Sequence, residues 1–315
     1  MKPVRFRHRV EYQALRFIES VCRKLPYRQA LALAGAIARI MFMLARSRVH
    51  VATARILSVL GNTMTPAEAR QVAWISLRNM HFNLVDLLRA EPLSDDLLLQ
   101  RFGTLNVLPE IPRPSTNHTG IILATPHMGS WELAAGLFHH AVMPLFTISA
   151  PQHNALVAQY SFTLRLRFGV ETLIRGSDMM RTVIRQLRHG KSLAIMPDLR
   201  CPEPEIEVPF LGGIANVRRG MALFARLANV PIYPCICIRD GWTRHRIEVH
   251  QPILPDKSLD NETDIRRMTA GVLKIMDQAI REHPEQWFWF NKRWVLDPII
   301  QVPHKQQPEK SGTGD

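Results

Sequence analysis

The sequence predicts an α/β protein with a largely parallel sheet flanked by helices, preceded by an N-terminal helical region. From about residue 101, short apolar runs alternate with amphipathic stretches, which is typical of helices packed on a parallel sheet. Residues from about 10 to 90 show helical spacing instead. The composition, 46% hydrophobic and 21% charged over 315 residues, is that of a globular chain. We divide the chain into 1–100, 101–298 and a polar tail, 299–315, which we expect to be disordered.

The N-terminal region reads as a series of helices. Leu25-Pro26 ends the first, and Pro26 suits the first turn of the next. A capping box with proline at the first helical position, Thr65-Pro66-Ala67-Glu68, starts a helix that runs towards Leu88.

The apolar segment 31–44 has two interpretations. It contains Arg39 and is shorter than the roughly 20 apolar residues that span a hydrocarbon core, so a spanning helix is not favoured. One interpretation is a helical hairpin that lies on, or dips into, an anionic membrane surface. The other is an ordinary core helix of a soluble domain, and periodicity does not separate them. Basic residues flank the segment: Arg5, Arg7, Arg9, Arg16, Arg23, Lys24, Arg28, Arg46 and Arg48.

The remaining elements follow the alternation in order. The expected strands are 120–125, 145–149, 170–174, 192–196, 206–210, 232–238 and 246–249. The expected helices are 131–140, 156–168, 178–189, 218–228 and 264–282. Sites in such sheets lie at the carboxyl ends of the strands.

One histidine stands at such a strand end. His127 follows the first strand, and Glu132 stands five residues later, where a regular helix would point it away. Gly129 and Ser130 allow a turn between them, with Ser130 as the N-cap of a helix that begins at Trp131. The turn would bring the carboxylate to one imidazole nitrogen, as in a general base, whereas the alternative is a hydrogen-bonded structural histidine.

Charge and motifs narrow the chemistry. The net charge of +13 and pI near 10.2 attract polyanions, which include nucleic acid, anionic lipids and acidic carrier proteins. No P-loop, G-x-S-x-G or H-E-x-x-H motif is present. The four cysteines lack metal-binding spacing and are interpreted as buried thiols, so no metal site is expected.

Other polar positions are candidates for ligand binding. Arg165, on the helix that follows Asn154, either holds an anion or belongs to a solvated face. Asp198 stands at the carboxyl end of its strand. Arg218 stands at the N-terminus of a helix, where free backbone N–H groups can bind an anion. The aromatic block 285–294 can be a stacking platform for nucleic acid, a membrane-interface belt or a lid that closes the fold. Its position favours closure, with Arg293 reaching the cleft.

The block His127-Met128-Gly129-Ser130-Trp131-Glu132 resembles the H-x4-D/E motif of the lysophospholipid acyltransferase superfamily, in the H-x-G-x-W-E form of the bacterial lipid A late acyltransferases. Further blocks resemble the family in order and extend the resemblance over roughly residues 10 to 298. The departures are Pro126, Ala155, Leu199 and Asn291, where the family commonly has glycine, proline, a polar residue and histidine. The blocks are Gln152-His153-Asn154 with Arg165 and Gly169, residues 175–185, Met196-Pro197-Asp198, residues 208–212, residues 230–234 and residues 284–294.

The resemblance implies a glycerolipid acyltransferase-like fold and acyl transfer without metal or cofactor. The donor would be a thioester of an acyl carrier protein or coenzyme A, and the acceptor a hydroxyl of a lipid A precursor or a related glycolipid or lysolipid. It implies His127 as general base, Glu132 as the group that orients the imidazole, and Arg165 as the oxyanion stabiliser. Substrate binding is assigned to Asp198, Arg218, Arg293 and Asn154.

The same resemblance implies a place in the cell. The protein would act at the cytoplasmic face of the inner membrane, held peripherally or by a single N-terminal anchor, with residues 1–100 associating with the membrane. No nucleic acid partner is expected on this interpretation. Two alternatives remain: a basic nucleic-acid-binding protein, and a non-catalytic membrane-associated member of the family.

Overall fold

A computed structural model describes residues 5–103 and 119–297. The predicted tail, 299–315, lies outside the described residues. Five helices form the N-terminal region: α1 Phe6–Lys24, α2 Tyr27–Leu44, α3 Arg46–Leu60, α4 Pro66–Leu88 and α5 Asp95–Phe102. The predicted capping box starts α4, because Glu68 N donates to Thr65 Oγ1 at 3.3 Å and Thr65 N donates to Glu68 Oε2 at 2.7 Å.

A six-stranded, mostly parallel sheet follows, which confirms the predicted fold class. Eight strands are described, of which β5 and β6 lie outside this sheet: β1 Ile122–Ala124, β2 Leu145–Ser149, β3 Glu171–Ile174, β4 Ser192–Ile195, β5 Ile206–Phe210, β6 Gly213–Val217, β7 Ile232–Asp240 and β8 Arg244–Val249. The sheet order is β3-β2-β4-β1-β7-β8, and only β7 and β8 pair in antiparallel fashion. The carboxyl ends of the four strands β1 to β4 therefore meet at one edge.

Helices cover the sheet at the predicted places. They are α6 Trp131–Ala141, α7 Ala155–Arg167, α8 Met179–Arg188, α9 Gly220–Ala228 and α10 Asn261–Glu282. Strand β6 was not predicted from the sequence, and it forms a separate antiparallel hairpin with β5. The loop between them, Leu211-Gly212, has positive φ at both residues (53° and 81°), as a two-residue turn of this hand requires.

The N-terminal helices are packed onto the α/β unit and share its core. Residues of α3 and α4 join the same buried cluster as β1, β7 and α10. Helix α2 lies against α4 on one side only, through five buried residues: Ala30, Leu31, Ala34, Ala38 and Phe42. Its other side exposes Leu33, Ile37, Ile40, Met41, Met43 and Leu44. In the described parts of the chain, α2 is the one helix long and apolar enough to cross a membrane.

Candidate active site

The candidate site lies at the carboxyl edge of the sheet, where His127 follows β1 and Asp198 follows the neighbouring strand β4. A hydrogen bond from Thr125 N to Ile195 O, 3.1 Å long, holds the two strand ends together. Two residues separated by 71 positions in the chain are thereby brought into contact.

The chain turns between His127 and α6, as the sequence predicts. Gly129 has φ of 55°, and a Cβ there would lie 2.2 Å from the carbonyl oxygen of Cys237. Both the conformation and the close approach require glycine. Ser130 stands at the N-cap position of α6, but its hydroxyl makes no cap hydrogen bond and instead donates to Asp86 Oδ2 at 2.7 Å.

Asp198 holds His127 through two hydrogen bonds. His127 Nδ1 donates to Asp198 Oδ1 and the backbone N of His127 donates to Oδ2, both at 2.8 Å. The indole Nε1 of Trp287 also donates to Oδ2, at 2.8 Å, and the carboxylate is fully buried. The expectation that Glu132 would hold an imidazole nitrogen is therefore corrected, because Asp198 occupies Nδ1.

The electrostatics of this pair favour an imidazole with raised proton affinity. Burial alone would lower the pKa of His127, but the charge of Asp198, the hydrogen bond to it and the charge of Glu132 outweigh burial and raise it above 6.5. Burial would raise the pKa of Asp198, yet His127, Trp287 and the backbone N–H hold it below 3.8. Nδ1 is held by Asp198, so Nε2 is the nitrogen left to face the cavities.

Glu132 is instead paired with Arg165. Arg165 Nε lies 3.0 Å from both carboxylate oxygens of Glu132, and Nη2 lies 2.6 Å from Oε1. Both side chains are mostly buried beside His127, on α6 and α7. The pair fixes Arg165 on the rim of a cavity, while Nη1 makes no hydrogen bond to a described residue.

A second polar network holds the turn from the opposite side. Asn83 Nδ2 donates to the carbonyl oxygen of Gly129, and Arg239 Nη2 donates both to Asn83 Oδ1, at 2.7 Å, and to Asp86. Asp86 in turn accepts the hydroxyl of Ser130. All of these side chains are buried, so α4 and β7 together fix the backbone between His127 and Glu132.

Two cavities meet at His127. The first, of about 270 Å³, runs between α6 and the sheet. Its lining includes His127, Trp131, Glu132 and Arg165. Much of the rest of its lining is apolar and includes Leu123, Phe138, Leu145, Val170, Ala194, Cys235 and Ile247.

The second cavity, of about 380 Å³, shares His127 and several other lining residues with the first and is also lined by the end of β4 and helices α8 and α9. It combines apolar side chains such as Met179 and Phe224 with Arg175, Arg218 and Arg219. A site with one apolar cavity and one basic cavity can hold two different ligands against one imidazole.

The other predicted site residues differ in their positions. Arg218 lines the second cavity and is bonded to Glu205 at 2.9 Å. Asn154 caps α7, and its Nδ2 donates to His8 O and to Glu11 of α1. Arg293 is exposed and lines neither cavity.

The aromatic block closes the fold, as its position suggested. Trp287 and Trp289 are buried and pack edge to face, 4.9 Å between ring centroids, so they offer no open face on which bases could stack. The contact between Trp287 and Asp198 was not predicted from the sequence.

No group of metal-ligating side chains is found within residues 5–103 and 119–297.

These features define a class: an α/β protein with a histidine, held by a buried carboxylate, between an apolar and a basic cavity. Such a histidine can take a proton from a hydroxyl that lies beside a long apolar chain. The chain belongs to the bacterial lipid A biosynthesis acyltransferase family, because the sequence pattern of that family matches residues 4–295.

Curated relatives are similar at low identity. The chain is 21% identical to the phosphatidylinositol mannoside acyltransferase of Mycolicibacterium smegmatis over 184 residues, 56% of this chain and 58% of that protein. It is 20% identical to the lipid A biosynthesis palmitoleoyltransferase of Escherichia coli over 207 residues, 65% of each chain. The match thus spans a little over half the length of the mannoside acyltransferase.

Proposed function

We propose that this protein is an acyltransferase that moves a fatty acyl chain from a thioester donor to a hydroxyl of a membrane glycolipid or lysolipid. The observation that carries the proposal is His127, held by Asp198, in the lining of a largely apolar cavity. One relative is named as a phosphatidylinositol mannoside acyltransferase and the other as a palmitoleoyltransferase of lipid A biosynthesis, which supports a lipid A precursor or a similar glycolipid as acceptor.

The proposed reaction uses His127 as general base. Nε2 takes the proton of the acceptor hydroxyl, and the oxygen attacks the thioester carbonyl carbon. The resulting oxyanion is stabilised by Arg165, whose Nε and Nη2 are held by Glu132 and whose Nη1 has no hydrogen bond to the residues that the structure describes. As the carbonyl re-forms, the C–S bond breaks and the thiolate receives the proton from His127.

Each carboxylate has a distinct part in this proposal. Asp198 fixes the tautomer and stabilises the imidazolium that forms after proton transfer, which is the part expected of Glu132 from the motif alone. Glu132 orients Arg165 and adds a second negative charge near the imidazole. The apolar cavity behind them receives the acyl chain, whose methylene groups leave water for an apolar lining.

The membrane is the proposed place of action. The exposed apolar side of α2, with Ile37 and Leu44, suits a helix that lies in the plane of the interface while its other side packs on α4. The net charge of +13 favours the anionic cytoplasmic face of an inner membrane, and also an acidic acyl carrier protein or acyl-CoA as donor.

Mass spectrometry of extracted lipids tests the proposal. Cells without the gene should contain a lipid that lacks one acyl chain, and the wild-type gene should restore it. A gene encoding His127→Ala should not restore it, whereas His189→Ala, which removes an exposed histidine bonded to Arg185 O, should. Restoration by His127→Ala would contradict the mechanism and favour a non-catalytic role in the membrane.

A further inference from the structure

A third cavity, of about 470 Å³, is lined by residues of α3 and of the loop that follows Trp289. Its described lining holds three cationic side chains, from Arg48, Arg55 and Lys292, and no carboxylate. None of its lining residues also lines either cavity at His127. The third cavity is therefore a place for a ligand apart from the candidate active site, and its charge favours an anion.

Arg55 fixes the loop against α3. Its Nη1 donates to Trp289 O at 3.0 Å and to Asn291 O at 2.7 Å, and its Cζ lies 5.0 Å from the ring centroid of Trp294. Trp289 is itself buried in the core of the fold. The side of the cavity that the loop forms is therefore already ordered, so a ligand that binds there has no loop ordering to drive.

Arg48 and Lys292 differ from Arg55, because both are exposed and neither has a hydrogen-bond or ion-pair partner in the part of the chain that the structure describes. Two cations that line one cavity repel each other, and a bound anion offsets that repulsion. The donor fork of an arginine and the ammonium group of a lysine both bind phosphate oxygens. Ser47 lines the same cavity and adds a hydroxyl donor.

The surroundings of the cavity indicate what carries the phosphate. The exposed apolar side of α2 ends at Leu44, which is 78% exposed, and a single residue separates it from Arg46, where α3 begins. Arg48 therefore stands within the first turn of α3, directly after that apolar side. Val51, which is exposed, and Phe290 add apolar surface to the lining. Cations next to an apolar surface match a membrane interface, where phosphates lie just outside the hydrocarbon.

We propose that the third cavity binds the phosphate headgroup of an anionic bilayer lipid, with Arg48 and Lys292 as its charged partners and Ser47 as a further donor. The inference rests on the part of the proposed function that puts α2 in the membrane interface. The lipid bound here is not the acyl acceptor, because the cavity shares no lining residue with those at His127. The apolar surface beside the cations favours a lipid over an acidic protein.

Binding of short-chain lipids to the full-length protein tests the inference. The probes are dihexanoyl phosphatidic acid and dihexanoyl phosphatidylcholine, both kept below micelle formation, and neither has a hydroxyl group that could accept an acyl chain. We expect the wild type to bind the anionic lipid about tenfold more tightly than the zwitterionic one, as a charge-assisted hydrogen bond provides. Equal affinity of the wild type for the two lipids would overturn the inference.

A matched pair of double variants assigns the preference to the cavity. Arg48→Ala with Lys292→Ala should lose most of it. Arg181→Ala with Lys274→Ala removes the same charge from exposed positions of α8 and α10 outside the lining and should keep it. Equal loss in both double variants would show a general effect of net charge and overturn the inference. It would also be overturned if the first double variant lost affinity for an acidic acyl carrier protein while it kept its affinity for phosphatidic acid.

The result is separable from the proposed function. Binding of a soluble lipid needs neither turnover nor a membrane, so His127→Ala and Ile37→Glu should both keep the preference for phosphatidic acid. In flotation with phosphatidylglycerol vesicles, the double variant of Arg48 and Lys292 should bind about tenfold more weakly than the wild type. Normal flotation of that variant, with soluble phosphatidic acid still bound, would overturn the cavity as a lipid site and leave acyl transfer by His127 untouched.

Discussion

Replacement of Asp198 by asparagine tests the role of the carboxylate behind His127. The change keeps the size of the side chain but removes the charge and one of two acceptor oxygens. Asp198 accepts three hydrogen bonds of 2.8 Å, from His127 N, His127 Nδ1 and Trp287 Nε1. An amide NH₂ that faces His127 Nδ1 cannot accept its proton, so in the present tautomer that N–H loses its acceptor in a fully buried site. The unmet donor costs about 1–3 kcal/mol of folding free energy.

The effect on catalysis follows from the proton affinity of His127. Without the carboxylate, burial outweighs the remaining charge of Glu132, and the pKa of His127 falls from its raised value. A general base contributes on the order of 10²–10⁴ in rate, so kcat should fall by up to that factor, which corresponds to about 3–5 kcal/mol of barrier. The assay is transfer from an acyl thioester to a glycolipid acceptor, measured between pH 5 and 9.

The pH dependence gives a second readout. In the wild type, activity should rise as pH rises through the pKa of His127, because the base must be neutral to accept a proton. That pKa lies above 6.5. In Asp198→Asn this rise should move to lower pH. The two pKa shifts act on stability in opposite senses: the raised pKa of His127 gives stability that is lost as pH rises through it, and the lowered pKa of Asp198 gives stability that is lost as pH falls through it. A variant that keeps its kcat and its pH profile would refute the reasoning.

Two further predictions concern the turn and the membrane surface. Gly129→Ala should reduce transfer and lower the melting temperature, because alanine at a φ of 55° costs about 1–3 kcal/mol and the new Cβ meets Cys237 O. Gly241→Ala is the control, since its φ is 62° but no atom lies within 4 Å of its Cβ, so it has the backbone cost without the steric contact. Equal melting temperatures in the two variants would contradict the close approach. Ile37→Glu should weaken binding to anionic vesicles about tenfold or more without a change in melting temperature, since an apolar side chain no longer enters the interface. Leu227→Glu, an equally exposed apolar position on α9, is its control in vesicle flotation, and an equal loss in both would argue against α2 as the contact.

Much of the fold could be predicted because parallel strands buried on both faces read as continuous apolar runs. The strands around Leu123 and Leu193 were predicted at the correct places for this reason. The capping box at Thr65 was predicted because its chemistry is local. Strand β6 was missed because Gly213 and Asn216 weaken its pattern, and its pairing with β5 depends on the turn at Leu211 and Gly212.

The site was predicted in part, for a related reason. The turn at Gly129 is encoded by neighbouring residues, and the structure has it. The partner of His127 is not encoded locally: Asp198 is 71 positions away, whereas Glu132 is five, and spacing favoured the nearer carboxylate. The bond from Trp287 to Asp198 spans 89 positions. Such long-range contacts leave no periodic pattern in the sequence. An aspartate buried at the end of a strand nevertheless indicates that a hydrogen-bond donor must lie near it.

The ion pair between Asp86 and Arg239 bears on how the protein forms and how it can be shortened. It closes 153 positions of chain, and Arg239 is fully buried. A fragment that lacked α1 to α4 would leave that guanidinium buried without its partner, a cost of about 3–5 kcal/mol. During synthesis the N-terminal helices emerge first, so their apolar side can meet a membrane before β7 exists to complete the support of the turn at Gly129. Attachment would then precede catalytic competence, and the helices that dock the protein would also be the ones that finish its site.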